Sequence, residues 1–182
     1  MYVGNLESYQ GIDLMVESFE QVIAQAPTAH LVVIGGKSED VDRYTAQVKQ
    51  HGTESNIHFG GPRPIGNLKQ YLAQADIVVS PRTQGENTPM KLYSYLDSEK
   101  ALIATNLMTH TQVCTDKIAW LAEPNVNDFA HGILQLVHNP ELRTTLATAA
   151  QEYIAKEHTF EVFSQKLSSL YDWLESEVTA HR

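Results

Sequence analysis

The chain has 182 residues, 42% hydrophobic and 19% charged, ordinary values for a globular domain that exclude a disordered tail or a fibrous repeat. Its 13 Lys plus Arg against 22 Asp plus Glu leave a net charge of −9, which argues against nucleic acid as a partner but leaves room for a small phosphorylated ligand. The single cysteine, Cys114, excludes an internal disulfide and is too little for a thiolate zinc site. With one cysteine a reducing, cytoplasmic compartment is expected; no apolar run is long enough to span a membrane and no signal-peptide pattern follows Met1.

Short apolar runs alternate with helical periodicity along most of the chain. Met1–Gly4 reads as a buried strand entering a glycine turn, and a chain that opens on its first core strand is expected to be a piece of something longer or half of a two-domain protein. Ile12, Met15, Val16, Phe19, Val22, Ile23 and Ala26 fall at helical spacing, stopped by Pro27. His30–Gly35 predicts a second strand. A helix through Val41, Tyr44 and Val48 follows, with Ser38 as a candidate cap and Gly52 as a left-handed stop. Strands at Ile57–Phe59 and Ile77–Ser80 bracket a helix through Leu68, Tyr71, Leu72 and Ala75. Thr88-Pro89 predicts the start of a fourth helix, with threonine as cap and proline first. Strands at Ala101–Ala104 and Ile118–Leu121 close the pattern, and only helices come after it. The first has Phe129, Ile133 and Leu136 on one face, the next is capped by Asn139-Pro140-Glu141, and the last opens at Thr159. Residues beyond Leu174 are polar and expected to fray.

Repeated strand–helix–strand units, apolar on both parities, predict an α/β fold: a Rossmann-like, doubly wound parallel sheet of about six strands with a helical C-terminal tail. The domain runs over 1–158 and the last helix over 159–182. Ligands on such a sheet sit beyond the carboxyl ends of the strands. After the first strand, Gly4-Asn5-Leu6-Glu7-Ser8-Tyr9-Gln10-Gly11 is either an ordinary turn or an anion-binding loop. Gly35-Gly36-Lys37-Ser38 and Gly60-Gly61-Pro62-Arg63 leave the same choice, with Gly36 able to approach a ligand and Arg63 able to meet a phosphate or a base. The fourth connection, Ser80 to Lys91, is the informative one. Arg82 sits just past the strand, Lys91 in the first helical turn, and Glu86 just outside that helix, so cations and a carboxylate together suit a phosphorylated polyol.

The eight histidines, His30, His51, His58, His110, His131, His138, His158 and His181, show no metal-ligand spacing, and no metal is expected. No G-x-S-x-G elbow occurs and Cys114 lies in no nucleophile pattern. Trp120 and Trp173 are expected to be packing residues.

In order and spacing, Tyr2-Val3-Gly4-Asn5-Leu6, Gly11-Ile12-Asp13-Leu14, His30–Gly35, Ile57–Gly61, Ala75–Pro81, Thr88–Leu96 and Lys100–Thr105 resemble the C-terminal domain of GT-B glycosyltransferases of the retaining, family-4 or group 1 type. The resemblance implies transfer of a sugar from a nucleotide-sugar donor, with no required metal or cofactor, to an acceptor held by a separate N-terminal domain. It leaves peripheral contact of the full enzyme with a membrane open. The family's first donor-binding glutamate falls on Glu86, the implied catalytic residue, and the second on Ser94. Its diphosphate-binding arginine and lysine fall on neutral Asn5 and Gln10, a loss that Arg82, Lys91 and Arg63 partly offset. A branch with a Thr-Pro-x-Lys helix start is the better comparison, which brings Asn87, Thr88, Pro89 and Lys91 into the implied donor site. The usual glycine before the fifth strand is Glu99, a poorer left-handed cap. The last helix is expected to cross toward the acceptor domain, leaving Phe163, Tyr171 and Trp173 partly uncovered. Two alternatives stay open: a non-catalytic sugar-nucleotide-binding module or subunit, favoured by Asn5, Gln10 and Ser94, and a sugar-nucleotide epimerase on the same sheet.

Overall fold

The computed structural model describes residues 1–180. In chain order these form β1 (Tyr2–Val3), α1 (Ile12–Gln25), β2 (Leu31–Ile34), α2 (Ser38–Gln50), β3 (Ile57–Phe59), α3 (Leu68–Ala73), β4 (Ile77–Ser80) and α4 (Lys91–Leu96). There follow β5 (Ala101–Thr105), α5 (Met108–Thr111), β6 (Trp120–Ala122), α6 (Val126–His138), α7 (Pro140–Glu157) and α8 (Phe160–Ala180). All strand pairs are parallel, in two ladders ordered β1-β2-β3 and β4-β5-β6. Met1 joins the ladders: its N–H donates to the Ile77 carbonyl at 2.6 Å and its carbonyl accepts from Val79 N–H at 3.0 Å. The strand order is therefore β3-β2-β1-β4-β5-β6, with the reversal of winding between β1 and β4.

Alternation along the strands feeds a core on each face. Ala101 and Ile103 of β5 pack with Met15, Phe19, Phe129 and Ile133 on the face covered by α1 and α6. Leu102 and Ala104 pack with Leu72, Leu92, Leu96, Ala150 and Ile154 on the face covered by α3, α4 and α7. Cys114 lies in this second core, 1% exposed, where burial pushes its thiol up to about 12.

Between β1 and β4 the sheet forks. Residues two apart on a strand aim their backbone groups to the same side, so Val3 faces β4 as Met1 does. The strands have already diverged there, and the buried Tyr95 hydroxyl fills the gap. It accepts from Val3 N–H at 2.7 Å and donates to the Val3 carbonyl at 3.0 Å. One side chain thus completes both main-chain bonds that a neighbouring strand would have supplied.

Several local expectations need correction. Helix α4 starts at Lys91, two residues later than Thr88-Pro89 predicts, and Thr88 makes no capping bond; a tight turn from Leu92 N–H to the Pro89 carbonyl (2.9 Å) precedes the regular ladder. Ser38 is the first residue of α2 and not its cap. Strand β6 begins at Trp120, because Ile118 and Ala119 are buried in a turn onto the Thr115 carbonyl, and burial alone imitates a strand pattern. Helix α8 continues past Leu174 to Ala180. Trp173 packs against no core and is 56% exposed, in line with Phe163 and Tyr171 on the same helix. The Asn139 cap, the Gly52 stop and the opening of the last helix at Thr159 stand, with Asn139 Oδ1 accepting from Leu142 N–H at 2.9 Å and Thr159 Oγ1 from Val162 N–H at 3.3 Å. Glu99 holds a left-handed φ of 60° where glycine would be relaxed.

The fork predicts the consequence of one substitution. Tyr95→Phe leaves Val3 N–H and C=O unpaired in a part-buried place, and stability in urea is expected to drop by about 1–3 kcal/mol. A change under about 0.5 kcal/mol would mean that water satisfies both groups.

Candidate functional site

The fork opens, at the carboxyl ends of the strands, into a cavity of about 490 Å³. The loops after β1, β2, β3 and β4 all reach it. Of the residues singled out in the sequence, Gly4, Asn5, Gln10, Gly36, Arg63, Arg82, Pro89 and Lys91 line it together, with Tyr95 at its base. Glu86, Asn87 and Thr88, on the loop between β4 and α4, are not among the lining residues. Ser94 is not part of the cavity either; it faces a separate depression beside α3, one lined by Leu68, Lys69 and Leu72.

Close main-chain approach shapes the walls. Gly11 (φ 73°) and Gly36 (φ 82°) both need the left-handed region, and a Cβ at Gly11 would run into the Pro81 carbonyl, one at Gly36 into the Leu6 side chain. The loops after β1 and β4 are further tied by Thr83 N–H donating to the Tyr9 carbonyl at 3.0 Å.

The charges are distributed unevenly. The lining holds three cations, Arg63, Arg82 and Lys91, and no Asp or Glu, in a chain whose net charge is −9. Lys91 is half-buried. Its Nζ donates to Gln10 Oε1 at 3.1 Å and lies 4.0 Å from the centroid of the Tyr2 ring. Burial first, and Arg82 second, pull its ammonium down to about 7. Gln10, neutral where the resemblance implies a lysine, is thus the acceptor that holds the lysine arriving from α4. Arg82 spends Nε on the Gln84 carbonyl (2.8 Å) and Nη1 on the Asn87 carbonyl (3.0 Å), with its guanidinium 5.1 Å from the Tyr9 ring centroid. It braces its own loop as much as it faces the cavity. Arg63 is exposed at the rim.

Sequence reasoning missed a buried polar network behind the loop. His110, fully buried on α5, has Nδ1 3.0 Å from the Thr105 carbonyl and Nε2 2.8 Å from Ser80 Oγ. A carbonyl only accepts, so the proton is on Nδ1 and Nε2 accepts from the serine. Thr105 Oγ1 donates to the Arg82 carbonyl at 2.5 Å. Thr109 Oγ1 donates to the Asn87 carbonyl at 2.8 Å and Gln112 Nε2 to the Glu86 carbonyl at 2.6 Å. No spacing rule reveals these partners, because they pair across separate strands and loops; the one cue is a run of hydrogen-bonding side chains, Thr109-His110-Thr111-Gln112, soon after a strand that is apolar up to Thr105.

The histidines are otherwise mostly apart, with one exception. His30, just before β2, and His58 on β3 meet at the surface, Nδ1 to Nε2 at 3.1 Å with stacked rings. Among the described residues no group of three or more His, Cys, Asp or Glu is placed to hold a metal ion; His181 lies outside them.

Burial pulls the His110 imidazole down to about 4 from an ordinary value near 6.5. A base whose folded value is lowered contributes stability that is complete above the unfolded value and lost as pH falls toward the folded one. Between pH 7 and pH 4.5 this residue is expected to account for a loss on the order of 2–3 kcal/mol. Denaturation of wild type and His110→Gln at both pH values tests it: the two should differ in pH dependence by that amount, and parallel profiles would refute the assignment.

Three comparisons bear on this geometry. A GDP-mannose-dependent monoacylated alpha-(1-6)-phosphatidylinositol monomannoside mannosyltransferase from Corynebacterium glutamicum is 24% identical over 170 residues, 88% of this chain and 43% of that protein. The chain therefore spans less than half the length of this curated relative. Alr3699/HepE from Anabaena, solved in complex with UDP, superposes with a TM-score of 0.81 at 18% identity over 94% of this chain and 48% of that one. The C-terminal domain of the group 1 family protein LpcC from Francisella tularensis superposes with a TM-score of 0.77 at 20% identity over 87% of this chain and 85% of that one. At these identities the superpositions speak for the fold. Residues 1–153 match the family described as glycosyl transferases group 1. The chain belongs to that family, and its fold is Rossmann-like, as in the C-terminal domain of a GT-B glycosyltransferase.

Proposed function

We propose that this domain is the donor-binding half of a glycosyltransferase, taking a nucleoside-diphosphate sugar in the cavity at the fork and presenting the sugar to an acceptor held by a separate domain, with retention at the anomeric carbon. The observation that carries the reading is the cationic, carboxylate-free lining of a switch-point cavity in a strongly acidic chain. Such a pocket concentrates an anion where the rest of the surface repels it. In this reading Lys91 holds the diphosphate, assisted by Arg82 and the main chain of the Gly4 and Gly36 turns. The apolar end of the cavity, with Ile65, Leu68 and Met90 in its lining, receives the nucleobase. Glu86, outside the phosphate end, accepts hydrogen bonds from the sugar hydroxyls. UDP in the Anabaena complex and GDP-mannose in the name of the corynebacterial relative make both nucleotides suitable probes.

A non-catalytic binder is the second reading, supported by Ser94 lying outside the cavity, where the resemblance implies a second carboxylate. Both readings require donor binding, so titration calorimetry with UDP, UDP-glucose, GDP and GDP-mannose is the first experiment. No heat from any of the four on folded protein would sink both. Sugar transfer by the domain joined to an acceptor-binding partner would separate them.

Two further outcomes follow from Lys91 and Glu86. A bound phosphate keeps the proton on Lys91, so nucleoside diphosphate affinity is expected to fall about tenfold from pH 7 to pH 8.5. Binding near pH 8 should take up protons, seen as a calorimetric enthalpy that varies with buffer. Lys91→Ala should remove the pH dependence and weaken binding by about 1.5–3 kcal/mol, the worth of a charge-assisted bond. Glu86→Gln should weaken the nucleotide sugar by about 1–2 kcal/mol and leave the bare diphosphate unchanged or tighter. Equal weakening of both ligands would reduce Glu86 to a loop-organising role.

A further inference from the structure

Gln112 is exposed at the end of α5, on the turn where a polar side chain ordinarily faces solvent. Instead its Nε2 reaches across to the Glu86 carbonyl at 2.6 Å. One residue along the loop, Thr109 Oγ1 holds the Asn87 carbonyl at 2.8 Å, and Arg82 Nη1 reaches the same carbonyl at 3.0 Å. Behind them His110 locks α5 to β4 and β5 through Ser80 and Thr105. The loop from Arg82 to Thr88 makes no strand pairing and carries a left-handed Gly85, so its path is not fixed by regular secondary structure. These carbonyl clasps from α5, together with the Arg82 bonds and Thr83 N–H on the Tyr9 carbonyl, set that path.

We infer that Gln112 is a positioning residue for the donor sugar: its amide clasps the main chain at Glu86 and holds that carboxylate at the height of the sugar above the phosphate end of the cavity. The inference rests on the reading of Glu86 as a sugar contact. Gln112 is not a lining residue of the cavity, and Lys91 is held by Gln10 instead, so the clasp acts on the loop at Glu86 and not on the phosphate end. An amide N–H donating to a carbonyl does the work; a side chain of equal length without a donor cannot replace it, whereas a longer one that ends in a donor can.

The test compares wild type, Gln112→Met and Gln112→Lys. Calorimetry gives dissociation constants for UDP and UDP-glucose, and for GDP and GDP-mannose; the readout is the ratio of the bare nucleotide's constant to that of its sugar. Gln112→Met should shrink this ratio roughly five- to tenfold, the loss of one good hydrogen bond. Bare-nucleotide affinity and melting temperature should stay as in wild type, and Gln112→Lys should restore most of the ratio. Amide hydrogen exchange over Arg82–Thr88 should quicken in Gln112→Met and slow again in Gln112→Lys. An unchanged ratio, an equal loss for both ligands, or no recovery with lysine would overturn the assignment. Glu86→Gln run alongside separates the two layers. If it leaves the ratio intact, the sugar-contact reading fails and this inference with it. If it lowers the ratio and Gln112→Met does not, the clasp alone fails. Equal wild-type affinity for nucleotide and nucleotide sugar overturns both.

Discussion

Everything functional in this domain depends on how a parallel sheet can open without leaving its backbone unpaired. At the point where the winding reverses, β1 and β4 share the bonds at Met1 and then separate, and the Tyr95 hydroxyl takes over both bonds of Val3. A phenol serves here because it both accepts and donates, and because α4 delivers it from one side of the fork. Burial drives its ionisation well above the ordinary range, which keeps the proton that the Val3 carbonyl needs. The same helix carries Lys91 one turn earlier. The residue that seals the fork and the residue that charges the cavity are thus fixed by one short element.

A lysine in such a place needs a reason to stay. Neither a carboxylate nor a water-exposed surface holds it; a neutral amide and an aromatic face do. Both stabilise the ammonium less than an ion pair would, and burial keeps the group close to losing its proton. That environment suits a visiting anion better than a resident one. It also explains why neutral Asn5 and Gln10 are compatible with a diphosphate site: the positive charge enters from α4, and Gln10 becomes its support. Arg82 belongs to the same economy of donors, with two of its nitrogens committed to the loop that it starts.

Most of the architecture was legible in the sequence because the strands are short apolar runs and the helices are bounded by strong signals, such as Pro27, Gly52 and Asn139-Pro140. The misplaced boundaries share a physical cause. Ile118 and Ala119 are as buried as strand residues without being in a strand, and Thr88-Pro89 has the residues of a helix start while the chain is still turning. The cavity was legible as a set of strand-following loops, since fold topology alone collects them. What lay beyond reach was the pairing behind the loop: Ser80 with His110, Thr105 with the Arg82 carbonyl, Gln112 with the Glu86 carbonyl. Each joins residues whose proximity only tertiary structure decides. The apolar stripe of α8 was visible in the pattern, but a pattern says which residues would be covered and not whether anything covers them. Phe163, Tyr171 and Trp173 lie open on it.

Cys114 sits directly behind this machinery, its N–H bonded to the His110 carbonyl at 2.8 Å and its side chain sealed in the core under α4 and α7. A thiol that is both inaccessible and held in its protonated form does not react from the native state. It becomes reactive only when the core under α4 and α7 opens. The chain therefore contains its own clock: the rate at which a thiol reagent modifies this one cysteine counts the openings of the core that backs the loop, without a label, a second probe or any knowledge of the ligand.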